Sequence, residues 1–172
     1  MGYHGNILTS LAIRKGHKVL EIRQADKPDI SDLVELDDEC FDTYYYRKTK
    51  FSKSDFQAYL YRSKPIFLVA VRDSHLVGYV AGTVRASQVL SIAHLDSIAV
   101  SSIEQGQGIG SDLLQLFIQE AKQQACMIVS LEVAKANEEG LDFFSKRGFR
   151  RIADLPEYYG RDLDGVLMEL SV

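Results

Sequence analysis

Apolar runs and turn residues follow one another along this chain in a pattern that predicts short strands interleaved with amphipathic helices. His17–Arg23 reads as a strand, and Pro28-Asp29-Ile30-Ser31-Asp32 then opens a helix with Leu33, Leu36 and Cys40 at helical spacing. A second short helix runs from about Ser52 to Tyr61, where Ser52 and Asp55 are spaced as a capping box. Pro65 introduces Ile66–Val71, a continuous apolar strand, and Arg72-Asp73-Ser74-His75 turns it back into Leu76–Arg85 as a hairpin. Val89–Val100 is the next strand. From Gly108 to about Gln124 a helix places Leu113, Leu114, Phe117, Ile118 and Ala121 on one face. Met127–Ala134 reads as a buried strand, Asn137–Arg147 as a helix stopped by Gly148, and Phe149–Ala153 and Val166–Leu170 as two further strands. Residues 1–16 carry no clear period; Ile7–Arg14 fits a strand, a short helix or an ordered arm. The pattern is that of one α/β domain, residues 17–172, with a mixed, largely antiparallel sheet and an N-terminal extension of undefined structure.

Composition narrows the function classes. With 172 residues, 46% hydrophobic and 26% charged, the chain is expected to be globular and large enough for one real core. A net charge of −4 argues against a phosphate-binding nucleic-acid surface and favours a cationic partner. Cys40 and Cys126 stand apart from each other and the four histidines form no HxxxH pair, so neither a disulfide nor a metal centre is expected. No apolar run approaches the roughly 18 residues of a membrane span. The first residues lack a secretory hydrophobic core and the Ser/Thr of a myristoylation signal. The expectation is a cytoplasmic protein without membrane or nucleic-acid partners, either monomeric or homodimeric.

Candidate chemistry begins at Gln105-Gly106-Gln107-Gly108-Ile109-Gly110, between the strand Leu95–Val100 and the helix that follows. Glycines at alternate positions just before a helix expose backbone N–H groups at the positive end of its dipole, an arrangement suited to phosphate. A Walker A loop is excluded because no lysine follows Gly110. A dinucleotide fingerprint is only partly imitated by Gly106, Gly108 and Glu132, since residue 111 is serine and Glu132 lies inside its strand. An ordinary glycine-rich connection remains the plain alternative.

Ile98-Ala99-Val100, Gln105-x-x-Gly108-x-Gly110, Leu131-Glu132-Val133, Asn137 and Lys146-Arg147-Gly148-Phe149 follow one another in an order and spacing that resembles the GNAT acetyltransferases. The nearest branch looks like the RimI-type and the archaeal and eukaryotic N-terminal protein acetyltransferases. The resemblance is clear from about His94 to Leu170, looser from about His17 to Arg85, and does not reach residues 1–16. It implies a GNAT fold: a central sheet of about seven strands flanked by about four helices, with a splayed strand pair at the acetyl-CoA site. It also implies acetyl-CoA as cosubstrate, with no metal. Ile98, Ala99 and Val100 would offer free backbone groups to the pantetheine arm. Gln105, Gly106, Gln107, Gly108, Ile109, Gly110 and Ser111 would hold the pyrophosphate, and Asn137 would contact the cofactor while also capping its helix.

For catalysis, a carboxylate within the apolar run Met127–Val133 is costly unless paired or hydrated, so Glu132 needs a reason; by alternation it shares a face with Ser130 and Ile128. Glu132 aligns with the RimI-type catalytic glutamate and His94 with a histidine of the N-terminal acetyltransferase active site. The resemblance thus implies Glu132 as general base acting through water, and His94 as a proton relay. Strand alternation would place His94, Asp96, Ile98 and Val100 on one face. Phe144 stands where RimI-type enzymes carry the tyrosine that protonates the leaving thiolate; it has no proton to give, and is expected to pack against the pantetheine arm. Tyr158 and Tyr159 match a tyrosine pair in the loop before the last strand, and with Phe41 and Tyr44 they would wall the acceptor groove. The acceptor expected is a protein or peptide α-amine. A small amine such as a polyamine is the alternative enzyme substrate, and a non-catalytic acyl-CoA sensor the alternative class.

Overall fold

The computed structural model describes residues 11–15, 18–41, 50–87 and 90–172. Tyr44, and the expected strand starts at His17 and Val89, lie outside the described residues. Eight strands form one sheet: β1 (Leu11–Lys15), β2 (Lys18–Gln24), β3 (Pro65–Arg72), β4 (His75–Ala86), β5 (Ser91–Val100), β6 (Ile128–Ala134), β7 (Arg150–Gly160) and β8 (Leu163–Ser171). Their order is β1-β2-β3-β4-β5-β6-β8-β7. Every neighbouring pair is antiparallel except β5 and β6, which are parallel. A parallel pair needs a long crossover, and α3 (Ile109–Gln123) supplies it. The other helices are α1 (Ile30–Cys40), α2 (Lys53–Tyr61) and α4 (Glu138–Ser145).

The sheet fits the expected count of about seven, with an eighth strand at its edge among the described residues. That strand is β1, from the segment whose sequence carried no period, added at the sheet edge with Ala12 opposite Glu21 and Arg14 opposite Val19. The expected capping box holds: Ser52 Oγ accepts from the Asp55 N–H at 3.3 Å and Asp55 Oδ2 accepts from the Ser52 N–H at 2.8 Å. Tyr158 and Tyr159, expected in a loop, fall inside β7, where the ladder with β8 is irregular between Leu155 and Gly160.

Each face of the sheet carries its own core. On one, α3 buries Leu113, Leu114, Phe117 and Ala121 against Ile66, Val80, Ala93 and Leu95, and Phe144 of α4 joins them. Full burial of a side chain such as Phe117 stabilises by about 2–3 kcal/mol. Gly82 lets Phe117 approach: a Cβ there would lie 2.7 Å from its ring and 2.2 Å from the His94 carbonyl oxygen. On the other face, Leu33 and Leu36 of α1 and Phe56 and Tyr59 of α2 pack on Phe67, Val69, Tyr79 and Ala81. Phe56 stacks on Phe67 at 6.0 Å and meets Tyr79 edge-on at 5.4 Å.

Two irregularities of β5 create the site. Its ladder with β6 covers only Ile92–Ile128, Ala93–Val129 and His94–Ser130 and then stops, so the strands part beyond His94 and Ser130. On its other side, β5 slips register against β4 between the Leu95–Gly82 and Ser97–Ala81 pairs, which leaves Asp96 as an extra residue. That bulge corrects the expected alternation. Before it, Ala93 and Leu95 face α3; after it, Ile98 and Val100 do, while Ala99 turns to the α1 and α2 side. His94 therefore does not share a face with Ile98 and Val100. It shares one with Ser97, whose Oγ lies 2.8 Å from the Tyr79 hydroxyl.

Candidate active site

The gap between β5 and β6 opens into a cavity of about 1060 Å³. It is lined along β5 by His94–Val100, along β6 by Leu131, Glu132 and Val133, and at one end by Gln105, Gly106, Gly108, Ile109, Gly110 and Ser111. Asn137, Gly140, Phe143, Phe144 and Arg147 close the α4 side, and Phe41, Phe51, Tyr158 and Tyr159 the opposite side. Nearly every expected site residue among the described ones thus reaches one space. Gln107 is the exception: its side chain turns away, accepting from Arg72 at 2.7 Å and donating to Glu104 at 2.8 Å.

The glycine loop is held from both flanks by residues that carried no sequence signal. Arg72, at the end of β3 and 7% exposed, ion-pairs with Glu104 and binds Gln107. Glu39, at the exposed end of α1, accepts from the Ser102 N–H at 2.9 Å and from the Ser101 and Ser102 hydroxyls at 3.0 and 2.8 Å; these bonds hold its carboxyl below the usual range. Gln105 Nε2 donates to the Val100 carbonyl at 3.1 Å, tying the loop to the strand end. Between these anchors Gly106 (φ +73) and Gly108 (φ +89) adopt left-handed backbone, which a Cβ would strain. No atom lies within 4 Å of a Cβ built on Gly106, so the backbone there faces open space. Gly108 is the N-cap of α3 and has no capping side chain, which leaves first-turn N–H groups for a ligand.

That geometry fits the pyrophosphate and pantetheine of acyl-CoA. The loop and Ser111 would take the phosphates, and the β5 edge from Ile98 to Val100, unpaired on the β6 side, would take the arm as a pseudo-strand. Arg147, part of the Lys146–Phe149 motif but given no site role from the sequence, adds a cation at the same end. Its guanidinium donates to Ser111 Oγ and to the Phe143 carbonyl at 2.5 Å, and stacks 3.6 Å from the centre of the Phe143 ring. Asn137 caps α4, its Oδ1 accepting from the Gly140 N–H at 2.9 Å. Phe144 is buried against Phe143 and Phe149 at 5.0 and 5.5 Å while its edge lines the cavity.

Where the strands part, four polar side chains meet. His94 Nε2 lies 3.1 Å from Glu132 Oε2 and 3.6 Å from Asp96 Oδ1, and its Nδ1 lies 3.1 Å from Ser130 Oγ. The Tyr158 hydroxyl neighbours Glu132 and favours its ionised form. Burial drives the Glu132 carboxyl upward, but His94, Tyr158 and the Arg85 charge more than offset this and leave it below the usual carboxylate range. Burial, reinforced by the Glu132 charge, pushes the Tyr158 phenol up, so that it stays protonated. Asp96, set out by the bulge, lies 3.9 Å from Arg62, and its charge adds to the burial that pushes the Tyr59 phenol up. Cys40 also lines the cavity, but burial and the Glu39 and Asp37 charges push its thiol up to about 12, so it is no nucleophile at neutral pH.

Beneath this floor, Asp37 of α1 is 1% exposed and accepts from the Tyr79 hydroxyl and from the Phe51 N–H at 2.9 Å. Burial still lifts its carboxyl above the usual range. The network joins α1, β4 and β5 to Phe51, just before α2. Among the described residues no group of three or more His, Cys, Asp and Glu side chains is placed to hold a metal ion, and no helix is long and apolar enough to cross a membrane.

The chain is similar to known proteins in sequence and in fold. An N-acetyltransferase of Methanocaldococcus jannaschii is 30% identical over 138 residues, 77% of this chain, and the match spans 61% of that relative's own length. An N-alpha-acetyltransferase of Sulfurisphaera tokodaii is 29% identical over 122 residues, covering 66% of this chain and 73% of the relative. The solved NatC complex bound to a Gag peptide and CoA has a chain that superposes with a TM-score of 0.77 at 18% identity, over 89% of this chain and 98% of that one; this likeness is one of fold. Residues 30–149, which run from α1 through the glycine loop, Glu132 and Asn137 to Phe149, match the acetyltransferase (GNAT) family, and the chain belongs to it.

Proposed function

We propose that this chain is an acetyl-CoA-dependent N-acetyltransferase whose acceptor is a protein or peptide α-amine. The observation that carries the reading is the His94–Glu132 contact at 3.1 Å, set where β5 and β6 part and in one cavity with the glycine loop. Bound acetyl-CoA supplies a thioester carbonyl open to attack by a neutral amine. The loop and Arg147 anchor the phosphates at one end, and the free edge of β5 orients the arm toward Glu132. Glu132, ionised throughout the neutral range, takes the amine proton through a water. His94 and Tyr158 hold the carboxylate in place. Phe144 donates nothing, so the thiolate leaves without a tyrosine acid, which a thiol leaving group tolerates.

A carboxylate held below its usual pKa is a weak base, and this bears on the acceptor. An α-amine titrates near 7.7–8.0 and a lysine near 10.4, so freeing lysine of its proton costs roughly 3 kcal/mol more. The easier amine suits this site. Relatives support the same class: one is named an N-alpha-acetyltransferase and another was solved with a peptide and CoA. The test is thiol release from acetyl-CoA across peptides with free α-amines, the same peptides blocked at the N-terminus but carrying lysine, and small polyamines. Turnover confined to free α-amines is the expected result; turnover with polyamines or blocked peptides alone would overturn the assignment.

A further inference from the structure

Ser130 is the last residue of β6 to pair with β5, and its partner in register is His94. Its side chain is 8% exposed and lies 3.1 Å from His94 Nδ1. The other ring nitrogen lies 3.1 Å from Glu132 Oε2. A neutral imidazole has one N–H and one lone pair, so these two contacts constrain each other. Glu132 is held in its ionised form and has no proton to donate, so Nε2 must carry the hydrogen. Nδ1 is then an acceptor, and only a hydroxyl donating to it satisfies the contact.

We infer that Ser130 is a positioning residue of the active site: by donating to Nδ1 it fixes the ring of His94 with Nε2–H aimed at Glu132. Neither ring nitrogen then presents a lone pair to the cavity, and proton acceptance falls to Glu132 alone. His94 orients that carboxylate and lowers its basicity. The remaining titratable and charged groups around the pair come from neighbouring elements: Asp96 on β5, Arg85 on β4, the neutral Tyr158 on β7 and Arg62 just after α2. Among these, none is placed to take over the Nδ1 contact.

The inference rests on the reading of Glu132 and His94 as the reacting pair, but part of its test needs no acceptor. In 15N-labelled protein above the titration range of the ring, the two-bond proton–nitrogen spectrum of His94, assigned with His94→Gln, is expected to show the Nε2–H tautomer with a hydrogen-bonded Nδ1. Ser130→Ala should move the Nδ1 resonance downfield and lower kcat about tenfold with the KM for acetyl-CoA unchanged; Ser130→Thr, which keeps the hydroxyl, should restore both. A wild-type ring protonated on Nδ1 overturns the inference, as does a Ser130→Ala variant with unaltered Nδ1 resonance and kcat. Should Ser130→Ala fail to fold, Ser130→Thr decides: wild-type kcat and spectrum support the role, and a folded Thr variant with lost kcat contradicts it. If no peptide is turned over but the spectra behave as expected, the acceptor assignment fails while the positioning role stands.

Discussion

Tyr158 packs on Gly165: a Cβ built at Gly165 would lie 3.0 Å from Tyr158 Cβ and 3.2 Å from its ring. Gly165 pairs with Ala134 on one side and Leu155 on the other, so it sits in β8 beneath the irregular end of β7. The missing side chain is what lets the tyrosine lie across the strand on the side of Glu132. Gly165→Ala is expected to displace the ring by a few tenths of an ångström and raise the acceptor KM several-fold, leaving the acetyl-CoA KM alone. In a Tyr158→Ala background the same substitution should have no further kinetic effect. Additive effects in the double variant would show that Gly165 acts through something other than Tyr158.

The Arg72–Glu104 pair ties the phosphate loop to the end of β3. Removing one partner of a buried ion pair strands the other charge, at a cost of about 3–5 kcal/mol. Arg72→Met should therefore lower the unfolding free energy by an amount of that order and raise the Kd for CoA about tenfold, because Glu104 and Gln107 lose their anchor. Titration calorimetry and urea unfolding read the two effects separately. A variant that loses stability but binds CoA as before would mean that the loop is held by Glu39 and Gln105 alone.

Glu132 also leaves a mark on stability. Its folded pKa lies below the unfolded value of about 4.3, so its contribution is full above that value and is lost as pH falls through the folded pKa. The difference in unfolding free energy between wild type and Glu132→Gln should be level from neutral pH down to about 5 and shrink below about 4. A difference that grows on acidification would contradict the hydrogen-bonded, ionised carboxylate.

Local patterns were legible in the sequence and contacts at a distance were not. The capping box at Ser52 and Asp55, the apolar face of α3 and the left-handed glycines at its start are each decided within a few residues. The edge strand β1 stayed one of three readings of its segment because pairing with β2, rather than any period of its own, makes it a strand. The bulge at Asp96 depends on the register of β4, so simple alternation put His94 on the same face as Ile98 and Val100. Arg72 and Glu104 are joined by the fold across 32 positions, and Arg147 and Ser111 across 36. Tyr158 and Tyr159 carried a family signal for the acceptor groove, but only the β7 irregularity and Gly165 explain how one of them reaches Glu132.

The central claim is that Glu132, oriented by His94, accepts the proton of an attacking α-amine. Steady-state kinetics of Glu132→Gln with a peptide acceptor, paired with the Kd of the same protein for CoA, test it most directly. The account predicts a fall in kcat of about a hundredfold or more with the CoA affinity unchanged, within the range for loss of a general base. A Glu132→Gln enzyme that keeps wild-type kcat would contradict it.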